Sequence, residues 1–252
     1  HLVQFVQADR KYTVAQFVLD AQNTINDIVT RGKTPIVVGG TGLYIDSLLK
    51  GIRFVDEVDN REVRKQLKSD LENLGINTLF ERLRKIDPQA AAKIHINDQK
   101  RVMRALEVYY LHNKTKSQVD SESLISESKY VATYIGIYFS DRDKLYDRIN
   151  GRVDKMLENG LLEEAKSVYL SHLSETSVQA IGHKEFFAFF EGKSSLDECI
   201  EHLKTQTRHY AKRQLTWFRK NPKINWIAAD RCDPVIQALE ILKNEGYHIE
   251  RG

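Results

Sequence analysis

Pro35-Ile36-Val37-Val38-Gly39-Gly40-Thr41-Gly42-Leu43-Tyr44-Ile45 decides how this chain folds. A β-branched run ends in glycines that flank a threonine, and an apolar helical pattern begins at once, so the spacing predicts a strand, a tight turn and a helix N-terminus. Glycines at such a turn let the backbone approach a ligand closely. The free N–H groups and positive dipole end of the helix attract an anion there, a phosphate or pyrophosphate above all. The same residues also suit a purely structural turn, with Thr41 as N-cap and Gly51 as the stop of a helix ending near Lys50.

Upstream, Val14, Phe17, Val18, Ala21, Ile25, Ile28 and Val29 recur at helical spacing behind a Thr13/Gln16 capping box, and Gly32 stops that helix before a strand at Thr34 to Val38. Helix, strand, helix is the α/β idiom. From about Val55 to His112 the chain becomes highly charged and helical without a strand: Asn60 to Leu74 ends at Gly75, Thr78 with Glu81 opens a second helix, Asp87-Pro88 a third and Asp98 a fourth. Such a block is expected to be a helical insertion in an α/β core. Residues 113–129 are polar and serine-rich, which predicts a flexible loop, and Val131 to Phe139 a strand. Helices are expected at Asp141 to Leu157, Leu161 to about Leu173, His183 to Glu191, Ser195 to Lys220 and Pro234 to Glu245, with a late strand at Ile224 to Ala228.

At 252 residues, 41% hydrophobic and 29% charged, the composition is that of a globular protein. No apolar stretch approaches the roughly 18 residues of a membrane helix, and residues 1–10 lack a secretory layout, so cytoplasm is the expected compartment. Cys199 and Cys232 stand far apart without metal-ligand spacing. Arg31-Gly32-Lys33-Thr34 and Glu191-Gly192-Lys193-Ser194 contain the GK[ST] half of a phosphate-binding loop. The motif also needs a glycine five positions before the GK glycine, where Asp27 and Phe187 stand, so both are expected to be helix stops.

Charge is uneven along the chain. Between Lys204 and Lys223 lie seven Lys/Arg residues and no Asp or Glu, although the formal net charge is only +3. Helical winding groups Tyr210, Ala211, Gln214, Trp217 and Phe218 on an apolar side and Arg208, Lys212 and Arg219 on another, a pattern that serves a solvated face or a polyanion site. Lys100, Arg101 and Arg104 form a second cluster, with Arg64 in the same helical block. Cations so placed contact phosphates of a nucleic acid, or, as with Arg104 and Glu107, form a surface i,i+3 pair.

Four segments in order carry a resemblance to a family: VVGGTGLYIDSLL at 37–49, HINDQKRVMRALEVY at 95–109, QAIGHKE at 179–185 and AKRQLTWFRK at 211–220. Together they resemble the bacterial tRNA dimethylallyltransferases, over nearly the whole chain. The resemblance implies a P-loop NTPase-like α/β core with a parallel sheet, formed by residues 1–54 and 119–252, and an all-helical, tRNA-contacting insertion at 55–118. It implies transfer of the dimethylallyl group from dimethylallyl diphosphate, with Mg²⁺ assisting, to the exocyclic amine of the adenosine 3′ to the anticodon in a tRNA anticodon stem-loop. Thr41 would lie at the reaction centre, in the diphosphate-adjacent turn of Gly39, Gly40 and Gly42. Arg64, Lys100, Arg101 and Arg104 would hold tRNA from the insertion. Gln179, Gly182, His183 and Lys184 would hold it from the core, together with Arg208, Lys212, Arg213, Gln214, Thr216, Trp217 and Arg219.

Two departures from the family pattern stand out: Lys100 replaces a common glutamine, and His183 occupies a usual tyrosine position. The family's P-loop and the aspartate expected to act as general base precede the turn and do not occur in this sequence. The expectation is therefore that about 60–70 residues lie upstream, that no metal ligand comes from this stretch, and that it is inactive without them. A monomer without membrane attachment is expected. An enzyme acting on free nucleotides, either an isopentenyltransferase or a kinase, and a non-catalytic RNA-binding protein are the alternatives.

Overall fold

The computed structural model describes residues 1–3, 5–7, 9–52, 60–123, 129–171 and 180–247. In chain order these form α1 (Val14–Thr30), α2 (Gly42–Leu49), α3 (Arg61–Ile86), α4 (Pro88–Ala91), α5 (Gln99–His112), α6 (Lys116–Ser123) and β1 (Tyr134–Tyr138). There follow α7 (Arg142–Glu158), α8 (Leu161–Leu170), a 3₁₀ turn (Lys184–Phe186), α9 (Phe187–Phe190), α10 (Leu196–Phe218), β2 (Ile224–Ala228) and α11 (Pro234–Asn244). Contacts divide the chain into two units, His1–Leu48 with Val131–Gly252, and Leu49–Tyr130. No helix among the described residues is long and apolar enough to cross a membrane.

The first unit contains a parallel pair of strands, with Tyr134 opposite Ile224 and Tyr138 opposite Ala228. Parallel neighbours need a long crossover, supplied here by the helices from α7 to α10. Gly136 permits the pairing, because a Cβ there would lie 2.8 Å from the Trp226 ring and 2.7 Å from Ile224. Beyond the strand ends, the Asp230 carboxylate accepts from the Ser140 N–H (2.8 Å), the Ser140 hydroxyl (2.7 Å) and the Asp141 N–H (3.0 Å). These bonds, the Ser140 hydroxyl first, hold its pKa well below the carboxylate range. Both expected capping boxes form, Thr13 with Gln16 on α1 and Ser195 with Glu198 on α10. Val153, Leu161, Ala165, Phe186, Cys199 and Leu203 make the core beneath α7, α8 and α10.

One expected element is absent. Residues 34–38 form no ladder with another described strand, and Ile36 and Val38 are 81% and 90% exposed. Cross-strand pairs are what stabilise a strand, and Pro35 has no N–H to give one. Of the other two strand expectations, Val131–Phe139 shortens to Tyr134–Tyr138 and Ile224–Ala228 forms as expected. Gly32 and Gly192 do follow helix ends with positive φ, 68° and 70°, as helix stops require.

The second unit is helical. Gly75, at φ 76° and ψ 165°, is non-helical and divides α3 into two helical segments, so the stop expected there holds. In a straight helix Asp70 and Arg82 would be roughly 18 Å apart along the axis; across the kink they form a 2.6 Å ion pair. That bond to Arg82 holds the Asp70 pKa down. The second helix forms as expected, but Thr78 does not cap it with Glu81; its hydroxyl donates back to the Leu74 carbonyl (2.8 Å). Leu67, Leu79, Leu83, Val102 and Leu106 are its core.

The flexible loop expected at 113–129 is also corrected, since 116–123 are helical. Thr115 and Gln118 exchange capping bonds at the start of α6 (2.9 and 3.2 Å), and Asp87 ties the helix down. The buried Asp87 carboxylate caps α4 through the Ala90 N–H (2.9 Å) and accepts from the Ser117 N–H (2.9 Å) and hydroxyl (2.7 Å). Burial pushes its pKa up, but these donors outweigh burial and leave it lowered.

A carboxylate with a depressed folded pKa contributes stability that is present above its ordinary range and lost as pH falls through the folded value. Asp87→Ala is expected to cost about 2–3 kcal/mol at neutral pH. Asp87→Asn should weaken the acid limb of the stability curve, as measured by denaturant unfolding between pH 7 and pH 2. An unchanged acid limb would remove Asp87 from the account.

Candidate functional site

The Gly39–Gly42 turn is shaped by α10. The Thr41 carbonyl accepts the first α2 bonds, from Tyr44 (3.0 Å) and Ile45 (3.3 Å), and Thr41 is exposed while Gly42 is buried. Gln214 donates its side-chain amide to the Gly40 carbonyl at 2.9 Å, and the Trp217 indole N–H lies 3.3 Å from an Asp46 carboxylate oxygen. A Cβ on Gly40 would sit 1.8 Å from Gln214 Nε2, and one on Gly42 would sit 2.2 Å from the Trp217 ring. The close approach of a helix thus favours glycine at both positions, more strongly at Gly42 under the Trp217 ring than at Gly40, where only the end of Gln214 would have to move, whatever ligand the turn also serves.

The cations of α10 divide into two groups. Lys204 pairs with Asp154 (3.0 Å) and Glu201 (3.2 Å), and the bond to Asp154 raises its pKa. Arg208 donates to Asn150 (2.9 Å) and Thr205 (2.8 Å) and lies over the Tyr146 ring. The segment that carries no acid of its own is therefore partly neutralised from α7. Lys212, Arg213, Thr216, Arg219 and Lys220 remain exposed, and Arg213 lies 5.8 Å from the Tyr210 ring centroid. Trp217, placed by helical winding on the apolar side, is 37% exposed at the edge of the turn.

Gln179 lies outside the described residues. After it, Gly182 has φ 115° and donates its N–H to the buried Glu185 at 2.9 Å. His183 Nε2 lies 3.1 Å from Glu164, and Lys184 is exposed. His183 Nδ1 and Glu185 Oε1 are buried without a hydrogen-bond partner among the described residues.

In the second unit, Lys100, Arg101 and Arg104 stand at the start of α5, where Asp98 caps the helix and pairs with Arg101 at 3.2 Å. Arg104 is not in a surface pair. Its partner Glu107 is buried and also binds Arg64, from α3. No group of three or more His, Cys, Asp or Glu among the described residues could hold a metal ion.

Three features thus recur: a glycine turn at a helix start, a basic helix packed on it, and a separate cation cluster on a helical unit. They define an α/β protein suited to a phosphorylated ligand and a polyanion. The IPP transferase family model matches residues 1–221, and the chain belongs to that family. It is 43% identical over 251 residues to the tRNA dimethylallyltransferase of Acetivibrio thermocellus, covering 99% of this chain and 79% of that protein. To the tRNA dimethylallyltransferase of Bacillus subtilis it is 41% identical over 246 residues, covering 97% and 76%. Among solved structures, the tRNA isopentenylpyrophosphate transferase of Bacillus halodurans is similar with a TM-score of 0.66 at 37% identity, covering 98% of this chain and 77% of that one. A eukaryotic dimethylallyltransferase acting on tRNA gives 0.73 at 31% identity, covering 100% and 67%.

Because a new methyl on Gly40 meets only the end of Gln214, Gly40→Ala should cost about 1–2 kcal/mol. Adding Gln214→Ala should recover part of that loss. A double-mutant cycle of unfolding free energies checks this, and strictly additive losses would refute the contact.

Proposed function

We propose that this protein transfers the dimethylallyl group of dimethylallyl diphosphate to the exocyclic amine of the adenosine 3′ to a tRNA anticodon. The observation that carries the reading is the exposed Thr41 in a glycine turn fixed against a helix whose outer face is cationic, in a chain of the IPP transferase family. In the reaction the adenosine nitrogen bonds to the allylic carbon as the carbon–oxygen bond to diphosphate breaks, and a proton leaves the nitrogen. Negative charge grows on the departing oxygen, so N–H groups and cations near the turn lower the barrier. Thr41 orients the adenosine, which leaves the loop stack at little cost because it is unpaired.

The parallel β1–β2 pair with its helices is read as part of a P-loop NTPase-like core, and residues 55–118 as a tRNA-contacting helical insertion. Gly39, Gly40 and Gly42 line the diphosphate side of the turn. Lys212, Arg213, Thr216, Trp217 and Arg219 on α10, with Gln179, Gly182, His183 and Lys184, form the RNA contact of the first unit. Arg64, Lys100, Arg101 and Arg104 form that of the second. Arg208 and Gln214 act indirectly, by packing α10 on α7 and on the turn. The described residues offer no carboxylate or histidine cluster for a cation. Mg²⁺ is proposed to accompany the diphosphate as its counter-ion. The enzyme is proposed to act as a cytoplasmic monomer.

The intact natural protein, given labelled dimethylallyl diphosphate, Mg²⁺ and unmodified anticodon stem-loop RNA, should label the RNA but not adenosine monophosphate. Labelling of the mononucleotide alone would overturn the RNA assignment. Thr41→Ala should lower kcat at least tenfold with little change in melting temperature; lost melting temperature with normal turnover would make it only a cap.

Replacing Lys212, Arg213 and Arg219 by alanine should flatten the salt dependence of RNA binding by roughly 0.7 log–log units per lost single-strand phosphate contact. An unchanged slope in a filter-binding or fluorescence titration would exclude this face.

A further inference from the structure

Glu107 sits where a polyanion-binding surface should not keep a negative charge. Its side chain is 6% exposed, and its Oε1 accepts three bonds: from Asn60 Nδ2 (2.6 Å), Arg64 Nε (3.1 Å) and Arg104 Nη1 (2.8 Å). The two arginines come from different helices, α3 and α5, and their side chains stay 40% and 54% exposed. Two guanidiniums held by one oxygen cannot drift apart, and each uses only one of its five N–H donors there. A buried carboxylate needs such donors, and the geometry sets both cations facing the same anchor.

We propose that Glu107 is a positioning residue, holding Arg64 and Arg104 side by side as a preset fork for adjacent RNA phosphates. This rests on the reading of the second unit as an RNA contact. Preset cations lose less side-chain freedom on binding than free ones, and planar guanidiniums reward fixed geometry because they bind phosphate oxygens in pairs. The carboxylate lowers the local positive charge, so field strength and geometry make opposite demands on this residue.

Glu107→Gln separates them by sign. It removes a negative charge from beside two arginines; if field alone governed affinity, the variant would bind RNA more tightly. Positioning predicts about tenfold weaker binding of unmodified anticodon stem-loop RNA by the intact protein, and a salt slope reduced by roughly 0.7 log–log units or more as a phosphate contact is lost. A loss of folded fraction alone leaves that slope unchanged.

Arg64→Ala and Arg104→Ala are the reference variants, each expected to weaken binding and flatten the slope. If they do so while Glu107→Gln binds equally or more tightly, the positioning role is overturned and the RNA contact stands. If neither arginine variant changes binding, the RNA contact fails and the positioning role with it. Should Glu107→Gln melt near the assay temperature, Arg64→Lys with Arg104→Lys replaces it. That variant keeps both charges and the carboxylate but not the fork, so unchanged affinity overturns the proposal and a tenfold loss supports it.

Discussion

The candidate site depends on how closely α10 approaches the turn at residues 40–42. Gln214 and Trp217 stand three positions apart on one face of that helix, and each occupies space that a Cβ on the facing glycine would claim. The amide bond to the Gly40 carbonyl fixes a backbone group next to Thr41, and the indole closes over the first turn of α2. The Gln214 and Trp217 side chains fill the space beside Gly40 and Gly42, while Thr41 between them faces outward, so these two glycines have a packing role of their own. Lys212 and Arg213 precede Gln214 directly, so the helix that holds the turn also presents cations to solvent.

Buried carboxylates organise the chain in three different ways. Asp87 takes backbone and hydroxyl donors and fixes the path of the chain from α4 to α6. Glu185 takes the Gly182 N–H and fixes a left-handed turn, conformationally open only to glycine at little cost. Glu107 takes side-chain donors, two of them cationic, and so fixes the location of charge. Each of these acids takes at least one donor from its surroundings, and the kind of donor decides whether it shapes backbone or electrostatics.

Most helices were legible from apolar spacing and caps, because Thr13/Gln16, Asp98 and Ser195/Glu198 act locally. Ile224 to Ala228 was legible as a strand from its β-branched and aromatic residues, although its ladder partner lies ninety residues away. The failures lie where a distant partner decides. Residues 34–38 carry strand-like side chains but no ladder with a described strand. Residues 116–123 looked like a serine-rich loop, although Thr115 and Gln118 already spelled a capping box; the anchoring by Asp87, thirty positions away, had no local signature. Of the site, the turn and the basic helix were visible. The division of that helix into cations engaged by α7 and cations left exposed was not, since Asp154, Asn150 and Tyr146 lie far from it in sequence.

That division bears on the size of the ligand. Counting charges along the sequence gives a stripe over the whole of α10, which would suit any anion. After Lys204 and Arg208 are assigned to α7, the exposed cations run from Lys212 to Lys220, roughly 12 Å of helix axis at 1.5 Å per residue. A diphosphate spans only part of that length, and a free nucleotide would leave much of the stripe facing water. A nucleic acid strand presents a phosphate every few ångströms and can engage the whole of it. The spacing of the cations that the fold leaves exposed, more than their number, is what favours an RNA strand over a mononucleotide.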